Sequence, residues 1–313
     1  MGALATRHVL GIQDLSAEEI GLVLDTAQSF KEVNERTIKK LPTLRGRTII
    51  NLFLEPSTRT RTSFEIAAKR LSADSVNMSG SASATVKGES LVDTAKTLDA
   101  MNADLVVIRH TMAGSPQILA RHMRASIING GDGKHQHPTQ ALLDLFTLRE
   151  HFGGFEGLRV GMVGDIAHSR VAGSLLPALS MLGAQTTVVA PPTLLPARPE
   201  ALGTRVSYSL DEVLPELDVV YLLRVQQERL EGAPLPSLRE YALLFGLDLA
   251  RLALMHRDAI IMHPGPINRG VELSSEAADA ANNLLLSQVT AGVAVRMALL
   301  YLLLGGEDDG AAA

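Results

Sequence analysis

The sequence predicts an α/β protein of two domains, each a parallel β-sheet flanked by helices, joined by interdomain helices. Three observations predict it. Short runs rich in Val, Ile and Leu alternate with stretches of helical spacing, which is the pattern of a parallel sheet with crossover helices. The 313 residues suffice for two cores of ordinary size. The turn residues Gly153, Gly154 and Gly157 separate one alternating set from the next.

Taken in order, the first set reads as helix 17–35, strand 48–54, helix 58–71, strand 75–78, helix 91–101, strand 105–109, helix 118–123 and strand 126–129, followed by a helix over about 137–151. The second set reads as strand 158–163, helix 171–182 and strands at 186–189, 219–223 and 259–262, with a C-terminal helix from about residue 288. The expected division is residues 1–137 for the first domain, with 288–313 packing back onto it, and 138–287 for the second. The apolar run Met297–Leu304 is shorter than the roughly 20 residues of a membrane span, and reads as a buried helix.

The densest chemistry lies in Glu55-Pro56-Ser57-Thr58-Arg59-Thr60-Arg61-Thr62. Thr48–Leu54 is β-branched and apolar, and Pro56 stops strand pairing because it has no N–H to donate. Phe64, Ala67, Ala68 and Leu71 then fall at helical spacing. The first turn of that helix offers unpaired N–H groups and a positive dipole end, to which Ser57, Thr58 and Thr60 add hydroxyls and Arg59 a fixed cationic fork. A phosphate fits there. A rival reading is a capping box from Thr62 to Glu65, which accounts for hydroxyls but not for two arginines set against the helix dipole.

Other polar groups also follow predicted strands: Arg109 and His110, Gly130 to Gly133, Gly164 and Asp165, Arg224, and His263-Pro264-Gly265-Pro266. Ligands of open parallel sheets bind at the carboxyl ends of strands, so the repetition points to one shared cleft. The net charge of −5 gives no general attraction to nucleic acid or to an anionic membrane, so any basic site is a local pocket. The absence of cysteine excludes a disulfide framework, a thiolate metal site and a cysteine nucleophile, and fits a reducing cytoplasm. Residues 1–7 lack a secretory apolar segment. No Asp, Glu or His cluster has metal-ligand spacing, so neither metal nor cofactor is expected.

Five segments together resemble the aspartate carbamoyltransferase family: Glu55 to Arg61, Val86-Lys87-Gly88-Glu89-Ser90, Gly131 to Gln140, Arg224-Val225-Gln226, and Met262 to Glu272. The resemblance implies transfer of the carbamoyl group of carbamoyl phosphate to the α-amino group of L-aspartate, in pyrimidine biosynthesis. It places Ser57, Thr58, Arg59, Thr60 and Arg109 on the phosphate, and Thr60, Arg109 and His137 at the carbonyl oxygen. Gln140 would contact the carbamoyl amide, Arg170, Arg224 and Gln226 would bind aspartate, and the backbone of Gly265 and Pro266 would meet the reacting nitrogens. It further implies a homotrimer with shared active sites, in which Ser83 and Lys87 reach a neighbouring subunit, and leaves room for a larger assembly with regulatory or dihydroorotase chains. Catalysis would rest on Arg59, Thr60, Lys87, Arg109, His137 and Gln140. Where members of the family often carry a second lysine before Lys87, this chain has Val86.

The chemistry fits independently of the resemblance. The substrates bring a phosphate and two carboxylates, and arginine supplies bidentate, permanently charged partners. His137 reads as a neutral hydrogen-bond donor rather than a base, whereas His110, His135, His168 and His263 read as structural or as supporting the residues that touch substrate. Taken alone, Arg170 could be a solvated residue at a helix start. Three rival functions remain. Ornithine carbamoyltransferases share the phosphate segment but carry Asp-x-x-x-Ser-Met-Gly and His-Cys-Leu-Pro segments, where this chain has Arg224-Val225-Gln226 and His263-Pro264-Gly265-Pro266. A nicotinamide site at Gly161-Met162-Val163-Gly164-Asp165 lacks the full glycine pattern. The third is a non-catalytic scaffold of the same fold.

Overall fold

A computed structural model describes residues 3–79, 89–225, 237–280 and 282–305. The chain divides into two compact units: residues 1–146 with 290–313, and residues 147–289. The division lies within the helix that follows the fourth strand, where the sequence reading had placed it just before that helix.

Unit 1 runs α1 (Ala17–Glu35), β1 (Thr48–Phe53), α2 (Thr58–Arg70), β2 (Asp74–Ser79), α3 (Leu91–Ala100), β3 (Leu105–His110), α4 (Ser115–His122), β4 (Ser126–Asp132) and the start of α5 (Pro138–Phe152). Its four strands lie in the order β2-β1-β3-β4, and all are parallel. The chain enters at β1, steps one way to β2 and then crosses to β3, so the switch point of the sheet lies between β1 and β3. Ligands of open α/β sheets bind beyond the carboxyl ends of such a pair. On one face Ile50, Leu52, Val106, Ile108 and Ile127 pack against Ala95, Leu98 and Leu119, which are near-continuous apolar strands as a twice-covered sheet requires.

Unit 2 repeats the plan with β5 (Arg159–Val163), α6 (Arg170–Met181), β6 (Gln185–Val189), β7 (Arg205–Ser207), the single turn α7 (Leu210–Val213), β8 (Val219–Leu222), α8 (Leu238–Phe245), α9 (Leu249–Leu252), β9 (Ile260–Met262), α10 (Ser275–Ala278) and the start of α11 (Leu285–Leu304). Its parallel order is β7-β6-β5-β8-β9, with the switch between β5 and β8. The edge strand β7 and helices α7 to α10 were not foreseen. β4 runs to Asp132 rather than Asn129, because Asp132 still pairs with His110, after a shift of register between Ile108 and His110. α4 begins at Ser115, where Pro116 suits the first turn of a helix.

α11 is longer than its apolar run indicated. At 20 residues and mean hydropathy 1.5 it is long and apolar enough to cross a membrane, but most of it is buried inside the protein. From residue 290 it belongs to unit 1, where Tyr301 meets the Phe30 ring edge-on at 5.7 Å.

Candidate functional site

The corner between β1 and α2 is built from the residues of the densest motif. Ser57 is the N-cap of α2, with extended backbone and with no hydroxyl bond back to the helix, so its Oγ is not spent on capping. Thr58, Arg59 and Thr60 form the first turn. Thr58 and Arg59 are exposed, Thr60 is buried, and no acidic residue occupies the turn. Open N–H groups, hydroxyls and a guanidinium converge on the positive end of a 13-residue helix. The capping-box alternative is overturned: Thr62 lies inside α2, and Glu65 pairs with Lys69 at 2.6 Å and accepts from Asn77 Nδ2 at 2.8 Å.

Arg109 stands beside this corner for a topological reason. β3 pairs with β1 so that Arg109 is level with Phe53, and the Leu54 N–H donates to the Arg109 carbonyl at 2.9 Å. Its guanidinium is anchored from the loop after β1 and from β4. Nη2 meets Glu55 Oε1 at 2.9 Å and Nη1 donates to the Gly130 carbonyl at 3.2 Å. Glu55 was not singled out from the sequence as the partner of Arg109.

At the end of β4, Asp132 is wholly buried and holds the loop leading to His137. Its carboxylate accepts from Gly114 N at 2.8 Å, Asn129 Nδ2 at 2.8 Å and Gln136 N at 3.0 Å, and lies 3.1 Å from His135 Nδ1. His135 thus lies against the carboxylate that holds this loop. Gly133, with φ of +49°, passes so close to Thr111 that an added Cβ would lie 2.9 Å from its carbonyl oxygen. His137 is buried, and its carbonyl accepts the first N–H groups of α5, from Gln140 at 3.0 Å and Ala141 at 3.2 Å. Gln140 follows one turn on, with its Nε2 donating to Asp144 Oδ1 at 3.0 Å. Unit 1 therefore places Ser57, Thr58, Arg59, Thr60, Arg109, His137 and Gln140 at the carboxyl ends of its three neighbouring strands β1, β3 and β4. Ser83 and Lys87 lie outside the described residues.

In unit 2, β5 leads through Gly164 and Asp165 to α6. Asp165 Oδ1 accepts the His168 N–H at 3.2 Å and lies 2.8 Å from its Nδ1, and Ser169 caps the helix by accepting from Ala172 N at 3.1 Å. Arg170, the first residue of α6, is buried, which overturns the solvated helix-start reading. The two glycines of the candidate nicotinamide motif have packing reasons instead. A Cβ on Gly161 would meet Leu217 Cδ1 at 2.2 Å, and a Cβ on Gly164, at φ +124°, would lie 2.9 Å from the Leu223 carbonyl oxygen and 3.0 Å from the Tyr241 hydroxyl.

Beyond β8, Arg224 Nε donates to Asn268 Oδ1 at 3.4 Å, and Asn268 Nδ2 donates to the Val225 carbonyl at 3.2 Å. Gln226 lies outside the described residues. Beyond β9, His263 is buried and its ring tautomer is set by its partners. Nδ1 accepts the Gly265 N–H at 2.7 Å, so Nε2 carries the proton toward Glu272 Oε1 at 3.2 Å. The same carboxylate oxygen accepts the Asn268 N–H at 2.5 Å. The fully buried Glu272 thus ties together the turn at Gly265 and Pro266, joined by a cis peptide, and the asparagine that contacts Arg224. Burial, and then the charges of Glu272 and Asp165, raise the pKa of the enclosed Tyr241 hydroxyl. Among the described residues no group of His, Asp or Glu has metal-binding geometry.

Comparison with known proteins places these features in context. Residues 7–150 match the family model "Aspartate/ornithine carbamoyltransferase, carbamoyl-P binding domain", and residues 156–303 match its "Asp/Orn binding domain". The chain is 58% identical to an aspartate carbamoyltransferase catalytic subunit of Syntrophotalea carbinolica, over 96% of both lengths, and 58% identical to that of Thermobifida fusca, also over 96% of both. Among solved structures, the aspartate transcarbamoylase of Trypanosoma cruzi, in complex with carbamoyl phosphate and aspartate, superposes with a TM-score of 0.87 at 31% identity, covering 95% of this chain and 97% of that one. An ornithine carbamoyltransferase from Pyrococcus furiosus reaches the same TM-score at 28% identity, covering 98% of this chain and 100% of the other.

Proposed function

Because this chain belongs to the aspartate/ornithine carbamoyltransferase family, we infer that it is an aspartate carbamoyltransferase, moving the carbamoyl group of carbamoyl phosphate to the α-amino group of L-aspartate in pyrimidine biosynthesis. Fold does not separate the two acceptors, since the ornithine enzyme superposes as well as the aspartate one. The observation that carries the choice is identity of 53–58% over nearly the full length to aspartate carbamoyltransferase catalytic subunits. Arg170 at the start of α6 and Arg224 just beyond β8 also favour a dicarboxylic acceptor over a cationic one.

The first turn of α2 and Arg109 bind the phosphate of carbamoyl phosphate. Thr60, Arg109 and His137 donate to its carbonyl oxygen, and Gln140 meets its amide. Arg170, Arg224 and Gln226 hold the carboxylates of aspartate, with backbone groups of Gly265 and Pro266 beside the nitrogens. The amine nitrogen attacks the carbamoyl carbon, a tetrahedral centre forms, and the carbon–oxygen bond to phosphate breaks. Donors fixed at the carbonyl oxygen act most strongly when that oxygen carries negative charge, which lowers the barrier rather than only tightening binding. The departing phosphate accepts the amine proton. Neither a metal nor a cofactor is needed for these steps.

The same reading extends to assembly and place. A homotrimer in which Ser83 and Lys87 of one chain complete a neighbour's site rests on the family resemblance of Val86 to Ser90, as does a larger complex with regulatory or dihydroorotase chains. A cytoplasmic location rests on the absence of cysteine. The function is tested by phosphate release from carbamoyl phosphate with aspartate and ornithine side by side. Aspartate-dependent turnover is expected; turnover with ornithine alone overturns the acceptor, and none with either returns the scaffold reading.

A further inference from the structure

We propose that Asp144 is a positioning residue for this reaction, its buried carboxylate fixing which end of the Gln140 side-chain amide faces the carbamoyl group. The inference rests on the reading that Gln140 meets that group.

Gln140 and Asp144 are four residues apart on α5, hence on one face of the helix. The Gln140 Nε2 to Asp144 Oδ1 contact is 3.0 Å, and Asp144 has no exposed surface. A carboxylate in so dry a place is favoured as the ion where a compensating charge acts on it. Arg296, on α11, is within electrostatic reach of it. Its guanidinium is buried, lies over the Phe64 ring 5.1 Å from the centroid, and donates through Nη1 to the Gly292 carbonyl at 3.0 Å. Gly292 has no side chain there; a Cβ would come within 2.6 Å of that Nη1. Burial pulls Arg296 down to about 10 while the negative charge of Asp144 pushes it back up, so the guanidinium remains charged at neutral pH. Phe64, Gln140, Asp144, Gly292 and Arg296 all belong to unit 1.

An ionised carboxylate only accepts hydrogen bonds. The two ends of a glutamine amide have nearly the same shape, so partners decide its orientation. Facing Asp144 it must present its NH2, which leaves Oε1 as the end offered to substrate. The carbamoyl nitrogen of carbamoyl phosphate carries donors, and an oxygen is what it requires. A reversed amide would set donor against donor. Asp144 therefore makes the site select a group bearing N–H, and reject an acyl phosphate with a methyl in that place.

The test is a double-mutant cycle in the full-length enzyme, with kcat and KM for carbamoyl phosphate measured at saturating aspartate. Gln140→Ala and Asp144→Ala are each expected to lower kcat/KM for carbamoyl phosphate by about 10-fold or more, the size of one lost hydrogen bond with an unpaired remainder. The double variant is expected to be no worse than Gln140→Ala alone, because Asp144 acts only through Gln140. KM for aspartate should stay within about twofold of wild type. Asp144→Ala leaves the charge of Arg296 uncompensated, so thermal melting is recorded for each variant. Asp144→Leu, of similar size and with no acceptor for the Gln140 amide, replaces it in the cycle if the alanine variant does not fold. A loss at Asp144 that multiplies with the loss at Gln140, or wild-type kinetics in a folded Asp144 variant, overturns the proposal. A silent Gln140→Ala shows instead that the assignment of Gln140 to the carbamoyl group was wrong, and the proposal falls with it.

Discussion

In unit 1 the carboxylate of Asp104, just before β3, accepts the backbone N–H of Thr48 at 2.7 Å and pairs with Arg47 at 3.0 Å. In unit 2 Asp218, just before β8, accepts the backbone N–H of Arg159 at 2.9 Å and pairs with its guanidinium at 2.6 Å. Each clamp joins the first strand of its sheet to the strand across the switch point, at the amino ends. At the carboxyl ends the resemblance stops. Unit 1 presents Ser57, Thr58 and Arg59 together on a helix start, while unit 2 has the single buried Arg170 at the start of α6 and carries Arg224 and the turn at Gly265 on loops tied by the buried Glu272. The shared end keeps the sheet together. On the proposed function the divergent ends would meet different ligands: a helix N-terminus suits a phosphate, whereas a carboxylated amine suits separate arginines and backbone groups.

The largest effect that could break this contrast is at the helix start. Arg59→Ala is expected to lower kcat/KM by about 10²–10³-fold, the usual cost of one transition-state donor, whichever acceptor is supplied. Near-normal turnover would remove the phosphate site from α2. Arg224→Ala is a smaller and more selective change. KM for aspartate should rise about 10- to 100-fold, with KM for carbamoyl phosphate little altered. If both constants moved together, the two units would not divide the substrates as assigned.

What could be read in advance follows the same contrast. The β1–α2 corner was legible because its donors are contiguous and the strand, proline and helix that present them are each locally encoded. The strand-end placement of Arg109 and Arg224 was legible too, from apolar runs ending in a charge. The carboxylates that hold the loops were not. Asp132, Asp144 and Glu272 look in sequence like surface acids, and only packing reveals them as buried. The environment of Asp144 depends on Arg296, some 150 residues away on the last helix. The i, i+4 spacing of Gln140 and Asp144 was a usable signal that went unread. β7, three residues at a sheet edge, is too short for any periodicity to show.

The smallest expected effect concerns the shared clamps and sharpens the contrast from the opposite side. The hydrogen bond from Arg159 holds the carboxyl of Asp218 below its ordinary value. A carboxylate whose folded pKa lies below its unfolded one stabilises the protein above the unfolded value, near pH 4, and loses that contribution as pH falls through the folded one. Asp218→Asn keeps the shape and one acceptor oxygen, which can still meet the backbone N–H, but it removes the charge and turns the other end of the amide, a donor, toward the Arg159 guanidinium. Because the two side chains are 24% and 43% exposed, solvent limits the cost to about 1 kcal/mol at pH 7. At pH 3, below the unfolded value, part of that contribution is gone, and the difference in urea midpoint between wild type and variant should shrink. Asp104→Asn should likewise cost stability at pH 7, while kcat and both KM values of either variant stay within about twofold of wild type. A kinetic defect in either would mean that the amino ends of the sheets also serve the chemistry, and an undiminished difference at pH 3 would mean that the Asp218 charge is not what steadies its clamp.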